Sequence, residues 1–185
     1  MKSMGLLRAI AEEEVGLMLA WRNAPSVRAN MYTQHEIGEE EHRRWWGDVS
    51  KSKNQSYFMY EFHGIPRGVV SFSLIDAFNQ NAFWAFYAAP DSEKGTGGRM
   101  EYLALEYAFR ELSLHKLQCE VLAFNSAVIK MHMKFGFKSE GVFREQQKIG
   151  DSFISVHRLG LLRSEWLEAQ PKMEAKISAL NREIT

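Results

Sequence analysis

The stretch with the most evident chemical capacity is Ser92-Glu93-Lys94-Gly95-Thr96-Gly97-Gly98-Arg99. It lies between an apolar run that reads as a strand and a long periodic segment that reads as a helix. Glycines at such a junction let successive backbone N–H groups converge. The helix start adds its dipole, so a diphosphate can be held without steric obstruction. Lys94 and Arg99 would add positive charge. The pattern lacks the Lys-Ser/Thr pair of a Walker A loop, and a dinucleotide fingerprint would need glycine at position 100, which is Met. From this segment alone, a plain glycine-rich turn is an equal alternative.

Other groups offer less. The six histidines, at 35, 42, 63, 115, 132 and 157, show no HExxH or paired spacing, so no metal site is expected. Cys119 is the single cysteine, which excludes a disulfide or a thiolate zinc cluster within the chain. Strand alternation sets Leu117, Cys119 and Val121 on one face and Gln118, Glu120 and Leu122 on the other. Cys119 therefore belongs to core packing, and a cysteine nucleophile is not expected. Glu120 would face away from it, as a proton acceptor or as a salt-bridged surface residue.

These groups need elements to position them. Ser3–Ile10 reads as a short strand, Glu12–Arg22 as a helix opening on three acids that suit its dipole, and Gly38–Lys51 as a second helix. Ser56–Phe62, Gly68–Leu74 and Ala82–Ala88 read as a meander of strands. Met100, Leu103, Ala104, Tyr107 and Ala108 mark an amphipathic helix. His115–Phe124 alternates as a strand. Asn125 is a credible N-cap for a helix that ends at Gly136, a residue suited to the left-handed position after a helix. Val142–Lys148 and Phe153–Leu162 form a last hairpin around Gly150-Asp151. The order predicts one α+β domain over 1–166, a single mixed, mostly antiparallel sheet with helices on both faces. Residues 167–185 read as a polar helical tail, an appendage broken by Pro171.

Composition narrows the partners. The 185 residues are 45% hydrophobic and 25% charged, within the ordinary globular range. Twenty-three Lys and Arg balance twenty-three Asp and Glu, which argues against a dedicated nucleic-acid binder. No signal peptide and no bilayer-spanning run is visible, so a cytoplasmic protein with no membrane partner is expected. A homodimer is left open.

The glycine turn, followed by Asn125-Ser126-Ala127-Val128-Ile129-Lys130-Met131-His132-Met133-Lys134-Phe135-Gly136-Phe137, resembles the GNAT superfamily of N-acetyltransferases. Their acetyl-CoA loop has the form [QR]xxGx[GA], and a later helix carries Nxx[AS]xxxYxKxGF. This chain keeps Gly95, Gly97, Asn125, Lys134 and Gly136-Phe137. It departs at Ser92, where Gln or Arg is usual, and at His132, where Tyr is usual. Trp21-Arg22-Asn23, Met31-Tyr32, Glu40-Glu41-His42, His115-Lys116-Leu117 and Gly141-Val142-Phe143-Arg144 look like the acetyltransferases of pseudaminic acid biosynthesis. The resemblance runs from about Leu6 to Trp166.

The resemblance implies that the fourth and fifth strands, Phe83–Ala88 and Leu117–Phe124, splay and admit the pantetheine arm of acetyl-CoA. Cofactor contacts are then expected from Lys94, Gly95, Thr96, Gly97, Gly98, Asn125 and Lys130. Backbone N–H groups near Tyr87 and Ala88 would polarise the thioester carbonyl. His132 takes the position that protonates the leaving thiolate, and Glu120 the base that receives the amine's proton. Cys119 stays outside this chemistry. The implied acceptor is the 4-amino group of UDP-4-amino-4,6-dideoxy-N-acetyl-β-L-altrosamine. Arg22 would meet its diphosphate, with His42, Met31, Tyr32, Trp45 and Trp84 lining the pocket and Tyr60 and Ser73 as weaker candidates. Adjacent Trp45 and Trp46 cannot both face the core easily, since helix neighbours differ by about 100°. Alternatives are acetylation of protein N-terminal amines and a non-catalytic acetyl-CoA binding module. An acidic open cleft would favour the peptide, and a closed aromatic pocket with Arg22 the nucleotide sugar.

Overall fold

A computed structural model describes residues 4–183. Ser3, the expected first residue of the first strand, and positions 184 and 185 of the expected tail lie outside the described residues. The elements run β1 (Leu6–Ala9), α1 (Val15–Asn23), α2 (Pro25–Arg28), α3 (Glu39–Val49), β2 (Ser56–Phe62), β3 (Ile65–Asp76) and β4 (Asn81–Ala88). They continue with α4 (Thr96–Glu106), β5 (Lys116–Leu122), α5 (Ser126–Lys134), β6 (Lys138–Ile149), β7 (Ser152–Leu162) and α6 (Arg163–Glu183). The three acids expected to open the first helix, Glu12–Glu14, form a separate 3₁₀ turn ahead of α1. The Glu14 carboxylate accepts from the Ala11 N–H and pairs with Arg8, which fixes that turn.

One seven-stranded sheet has the order β1-β2-β3-β4-β5-β7-β6. Period-2 alternation divides its side chains between two layers. Tyr60, Val70, Phe72 and Trp84 pack with Met100, Ala104 and Leu105 of α4 and with Ala108 in the π-helical turn that follows it. Met59, Val69 and Tyr87 pack on the opposite face with Met18 and Trp21 of α1. Met100, Leu105 and Phe72 are fully buried, and each such side chain stabilises the fold by about 1.5–3 kcal/mol.

The β4–β5 pair positions the site. Among the described residues it is the one parallel pair of the sheet, and it is registered only at Asn81–Phe83 against Lys116–Gln118. Beyond Phe83, β4 continues on β3 while β5 continues on β7 as far as Leu122. The two strands therefore diverge into a gap, as the resemblance implied.

The C-terminal segment differs from expectation. Helix α6 runs unbroken through Pro171, and the boundary expected at 166 falls inside it. Met173 and Ile177 join Trp166 in the main core, so this segment is packed rather than appended. The Trp166 indole N–H donates to Glu106 and the Gln170 amide to Tyr102, which ties α6 to α4. Apolar spacing at 166, 173 and 177 outweighs the polar composition that suggested a free tail. Among the described residues no helix is long and apolar enough to cross a membrane.

Candidate active site

The glycine turn builds a helix start. Gly95, at φ +92°, takes a left-handed conformation that only glycine adopts without strain, and its carbonyl accepts the first helical bond, from the Arg99 N–H at 3.1 Å. The N–H groups of Gly97 and Gly98 precede that bond, so they belong to the unsatisfied first turn of α4. A Cβ on Gly98 would meet nothing within 4 Å, which leaves that side of the turn open to a ligand. Lys94 is exposed beside it. This fits the diphosphate of CoA.

Two neighbours depart from expectation. Arg99 is 1% exposed and turned inward, onto Glu93, the Tyr60 hydroxyl, the Thr96 hydroxyl and the face of Phe62. A guanidinium with that many buried partners braces the turn from below and offers no charge to a phosphate. Thr96 is buried with it, so its side chain does the same work. The Ser92 hydroxyl donates to the Arg67 carbonyl at 3.0 Å and ties the turn to β3.

Between β4 and β5 lies a cavity of about 360 Å³, lined among others by Trp84–Pro90, Cys119–Leu122, Asn125, Val128 and His132. The Ala89 N–H donates to the Arg67 carbonyl at 2.8 Å. An antiparallel ladder alternates its N–H directions, so Tyr87 also donates toward β3, whereas Ala88 and Phe86 turn theirs toward the gap. The carbonyl-polarising donors expected at Tyr87 and Ala88 thus shift to Ala88 and Phe86. The Tyr87 phenol is buried against α1, where loss of hydration pushes its pKa up.

Asn125 stands at the N-cap position of α5, but its side chain makes no capping bond. It lines the gap instead, free to meet the amide-rich pantetheine arm. Gly136 closes α5 with φ +105°, as expected. Lys130 is exposed on α5, outside the lining of the gap.

His132 is 2% exposed at the back of the gap. Trp84, Phe86 and Phe137 surround its ring, with centroids 5.3, 6.1 and 5.3 Å away. Its Nδ1 lies 2.8 Å from Glu101 Oε1, and Glu101 is 0% exposed. Burial by itself would lower the imidazole pKa. The Glu101 carboxylate and a hydrogen bond with Cys119 outweigh it and raise the value to about 10. Cys119 is buried core, as expected, yet it touches the His132 ring rather than standing apart from it.

Trp84 stacks on Phe86 and faces His132, so it belongs to the gap and not to the acceptor pocket. Glu120 also lines the gap. Its Oε1 accepts from Arg158 at 2.8 Å and its Oε2 from the Tyr32 hydroxyl at 2.8 Å. Arg158 further donates to Gln118 and lies 4.1 Å over the Phe83 ring. The partly exposed carboxylate is thus salt-bridged, one of the two roles the alternation allowed.

A second cavity, of about 340 Å³, opens on the other face of β4 between α1, α3 and the loop after α2. Arg22, Met31, Thr33, Ile37, His42, Trp45 and Tyr57 line it, and Glu41 is its one acid. Its rings pack closely: Trp45 meets Tyr57 edge-on at 5.1 Å and lies 5.1 Å from His42. Arg22 Nη2 donates to the Thr33 carbonyl at 3.3 Å, while its buried Nη1 has no partner among the described residues. Burial lowers the guanidinium's pKa, and nearby Arg28 lowers it further. Burial also holds the His42 pKa down, with Arg22 adding to the effect. Trp46 lines a separate groove between α1 and α3, although both tryptophans pack on Tyr57 and on the same core cluster. Tyr60 and Ser73 are absent from this lining: Tyr60 is buried beneath Arg99 and bonds the Met4 carbonyl.

Sequence reasoning missed Glu101 and Arg158 and gave Asn23 no role of its own. Glu101 had a legible signal, since 101, 104, 105 and 108 share a helix face and the last three are apolar.

Residues 6–138 match the model of the acetyltransferase (GNAT) domain. "Acetyltransferase PseH" of Campylobacter jejuni is 29% identical over 125 residues, 68% of this chain and 77% of that protein. "Spermidine N(1)-acetyltransferase" of Vibrio cholerae is 29% identical over 101 residues, 54% of this chain and 58% of that one. The crystal structure of the Vibrio cholerae spermidine N-acetyltransferase with CoA and spermine superposes with a TM-score of 0.81 at 22% identity, covering 87% of this chain and 96% of that one. The chain belongs to the GNAT acetyltransferase family and is an acetyl-CoA-dependent N-acetyltransferase.

Proposed function

We propose that this GNAT acetyltransferase acetylates the 4-amino group of a UDP-linked 4-amino-4,6-dideoxy sugar, UDP-4-amino-4,6-dideoxy-N-acetyl-β-L-altrosamine. One observation carries the choice of acceptor class. The pocket facing β4 is aromatic and holds a buried guanidinium nitrogen with no partner among the described residues. Such a group calls for an anion, and a planar fork suits phosphate oxygens. A polyamine or a protein N-terminus would need carboxylates there, and the pocket has only Glu41 beside Arg22 and His42. Trp45 and Tyr57 offer flat surfaces for uracil or for the 6-deoxy methyl. The resemblance to the pseudaminic acid acetyltransferases supplies the specific sugar.

Acetyl-CoA supplies the activated thioester when bound. Gly97 and Gly98 N–H groups, with Lys94 nearby, would hold its diphosphate. Asn125 and the gap-facing backbone of β4 would hold the pantetheine arm. The N–H groups of Ala88 and Phe86, turned toward the gap, would stabilise negative charge developing on a carbonyl oxygen there.

Three proton transfers complete the exchange. Glu120 receives the proton of the incoming ammonium, directly or through water, after releasing the Tyr32 hydroxyl. The freed amine attacks the thioester carbonyl and the C–N bond forms; the nitrogen, cationic after attack, gives its second proton to water, and the C–S bond breaks. His132 gives its proton to the departing sulfur. No covalent enzyme intermediate is involved.

A thiol-release assay tests the reading. The protein with acetyl-CoA is offered the UDP-4-amino sugar, spermidine and a panel of N-terminal peptides. Release with the sugar alone is expected. Release only with spermidine or peptides would overturn the acceptor, and CoA binding without release from any amine would leave a non-catalytic module.

A further inference from the structure

The usual tyrosine of this helix is replaced by a histidine, and the facing helix α4 holds an acid at the one place that touches it. We propose that Glu101 is a positioning residue for thioester cleavage, holding the His132 imidazole through Nδ1–H so that its other nitrogen meets the gap beside Cys119. This inference rests on the proposed role of His132 as proton donor to sulfur.

The geometry is specific. Nδ1 and Oε1 are 2.8 Å apart, and both side chains are essentially inaccessible to solvent. A carboxylate buried to that degree needs a charged partner, because an unpaired one is strongly disfavoured. The ring can rotate little, since Trp84 and Phe86 of β4 and Phe137 confine it. With Nδ1 committed to Glu101, the other nitrogen is left for Cys119 and for the gap that both residues line.

A neutral imidazole of ordinary pKa, about 6.5, would be mostly unprotonated at pH 7.5 and a weak acid toward a thiolate. The Glu101 carboxylate reverses that balance, so an imidazole can do the work of a phenol in this position. Glu101 on α4 and Cys119 on β5 are the titratable groups acting on the ring, and the faces presented by β4 and by Phe137 are uncharged aromatics. Glu101 Oε2 has no partner among the described residues, so the ring is the only group shown to neutralise it.

The test follows the imidazole nitrogens of His132 by ¹⁵N NMR, assigned by comparison with H132N, in the wild-type and E101Q proteins. In the wild type the ring should stay protonated well above pH 6.5. In E101Q its titration should move down by about one to three pH units. The alkaline limb of kcat should move with it, while KM for acetyl-CoA changes little. A neutral wild-type ring at pH 7.5, or an unmoved titration in E101Q, would overturn the proposal. Should E101Q fail to fold, the wild-type titration still decides. Normal turnover in H132N would sink the proton-donor reading itself. Loss of turnover in H132N with an unmoved limb in E101Q would sink the Glu101 inference alone.

Discussion

The side-chain amide of Asn23 makes two hydrogen bonds to one residue. Its Nδ2–H donates to the Ile37 carbonyl at 2.8 Å, and its Oδ1 accepts the Ile37 N–H at 2.9 Å. Asn23 thereby acts as a short strand edge for a loop that has no strand partner, and it pins the end of α1 to the segment closing the proposed acceptor pocket. Trp21, Arg22 and Asn23 then divide the labour that helix geometry assigns to neighbours about 100° apart. Trp21 packs in the core, Arg22 faces the pocket and Asn23 holds the loop.

Replacing Asn23 by Ala should therefore raise KM for the acceptor and leave KM for acetyl-CoA unchanged. Two net hydrogen bonds suggest a stability loss of about 1–3 kcal/mol. Steady-state kinetics and a denaturant titration measure both. An unchanged acceptor KM would show that the loop keeps its shape without the clamp.

Arg22→Met should weaken the acceptor strongly without lowering the melting temperature. The half-buried guanidinium has one nitrogen unsatisfied, so its removal is neutral or stabilising by up to about 1 kcal/mol. A clear fall in melting temperature would mean that Arg22 serves the fold rather than a ligand.

At the glycine turn, Gly98→Ala should separate folding from binding. Alanine favours the first helical turn by about 0.5–1 kcal/mol over glycine, and its methyl meets no protein atom. The expected variant is slightly more stable and binds CoA more weakly. CoA affinity equal to the wild type, by calorimetry, would remove Gly98 from the phosphate site.

Cys119→Ala should lower kcat by less than tenfold. The thiol contacts His132, yet the proposed attack passes directly from amine to thioester. Loss of turnover by several orders of magnitude, in a folded variant, would point to an acetylated cysteine and overturn the direct mechanism.

Stability should fall as pH rises from about 6.5 toward 10. His132 has a raised pKa in the fold, so its contribution is complete below the unfolded value of about 6.5 and disappears on passing the folded one. Burial raises the Glu101 pKa as well, so the folded pair binds protons more tightly than the unfolded chain, and the sign is the same. Chemical denaturation across this range should show the decline in the wild type and its absence in the double variant E101Q/H132N. An equal decline in both would assign the effect to other groups.

The sequence by itself determined what is local. Alternation and helical periodicity set the element order, and Gly95 and Gly136 marked backbone conformations that side chains avoid. The motif spacing placed His132 and the glycine turn on the right elements, because both depend on neighbours within a few residues. The tertiary structure decided what depends on approach between distant segments. Glu101 and His132 are 31 residues apart, and only the packing of α5 against α4 makes them a pair. Arg99, read as a phosphate ligand from its place beside the glycines, is claimed by Glu93, Tyr60 and Phe62 inside the fold. Alternation assigned Cys119 to the buried core face, as found, whereas Trp84, expected in the acceptor pocket, meets His132 instead, because which face meets the gap depended on where β4 and β5 part. A charged or polar side chain goes to whichever buried partner it can reach, and that reach is fixed in three dimensions.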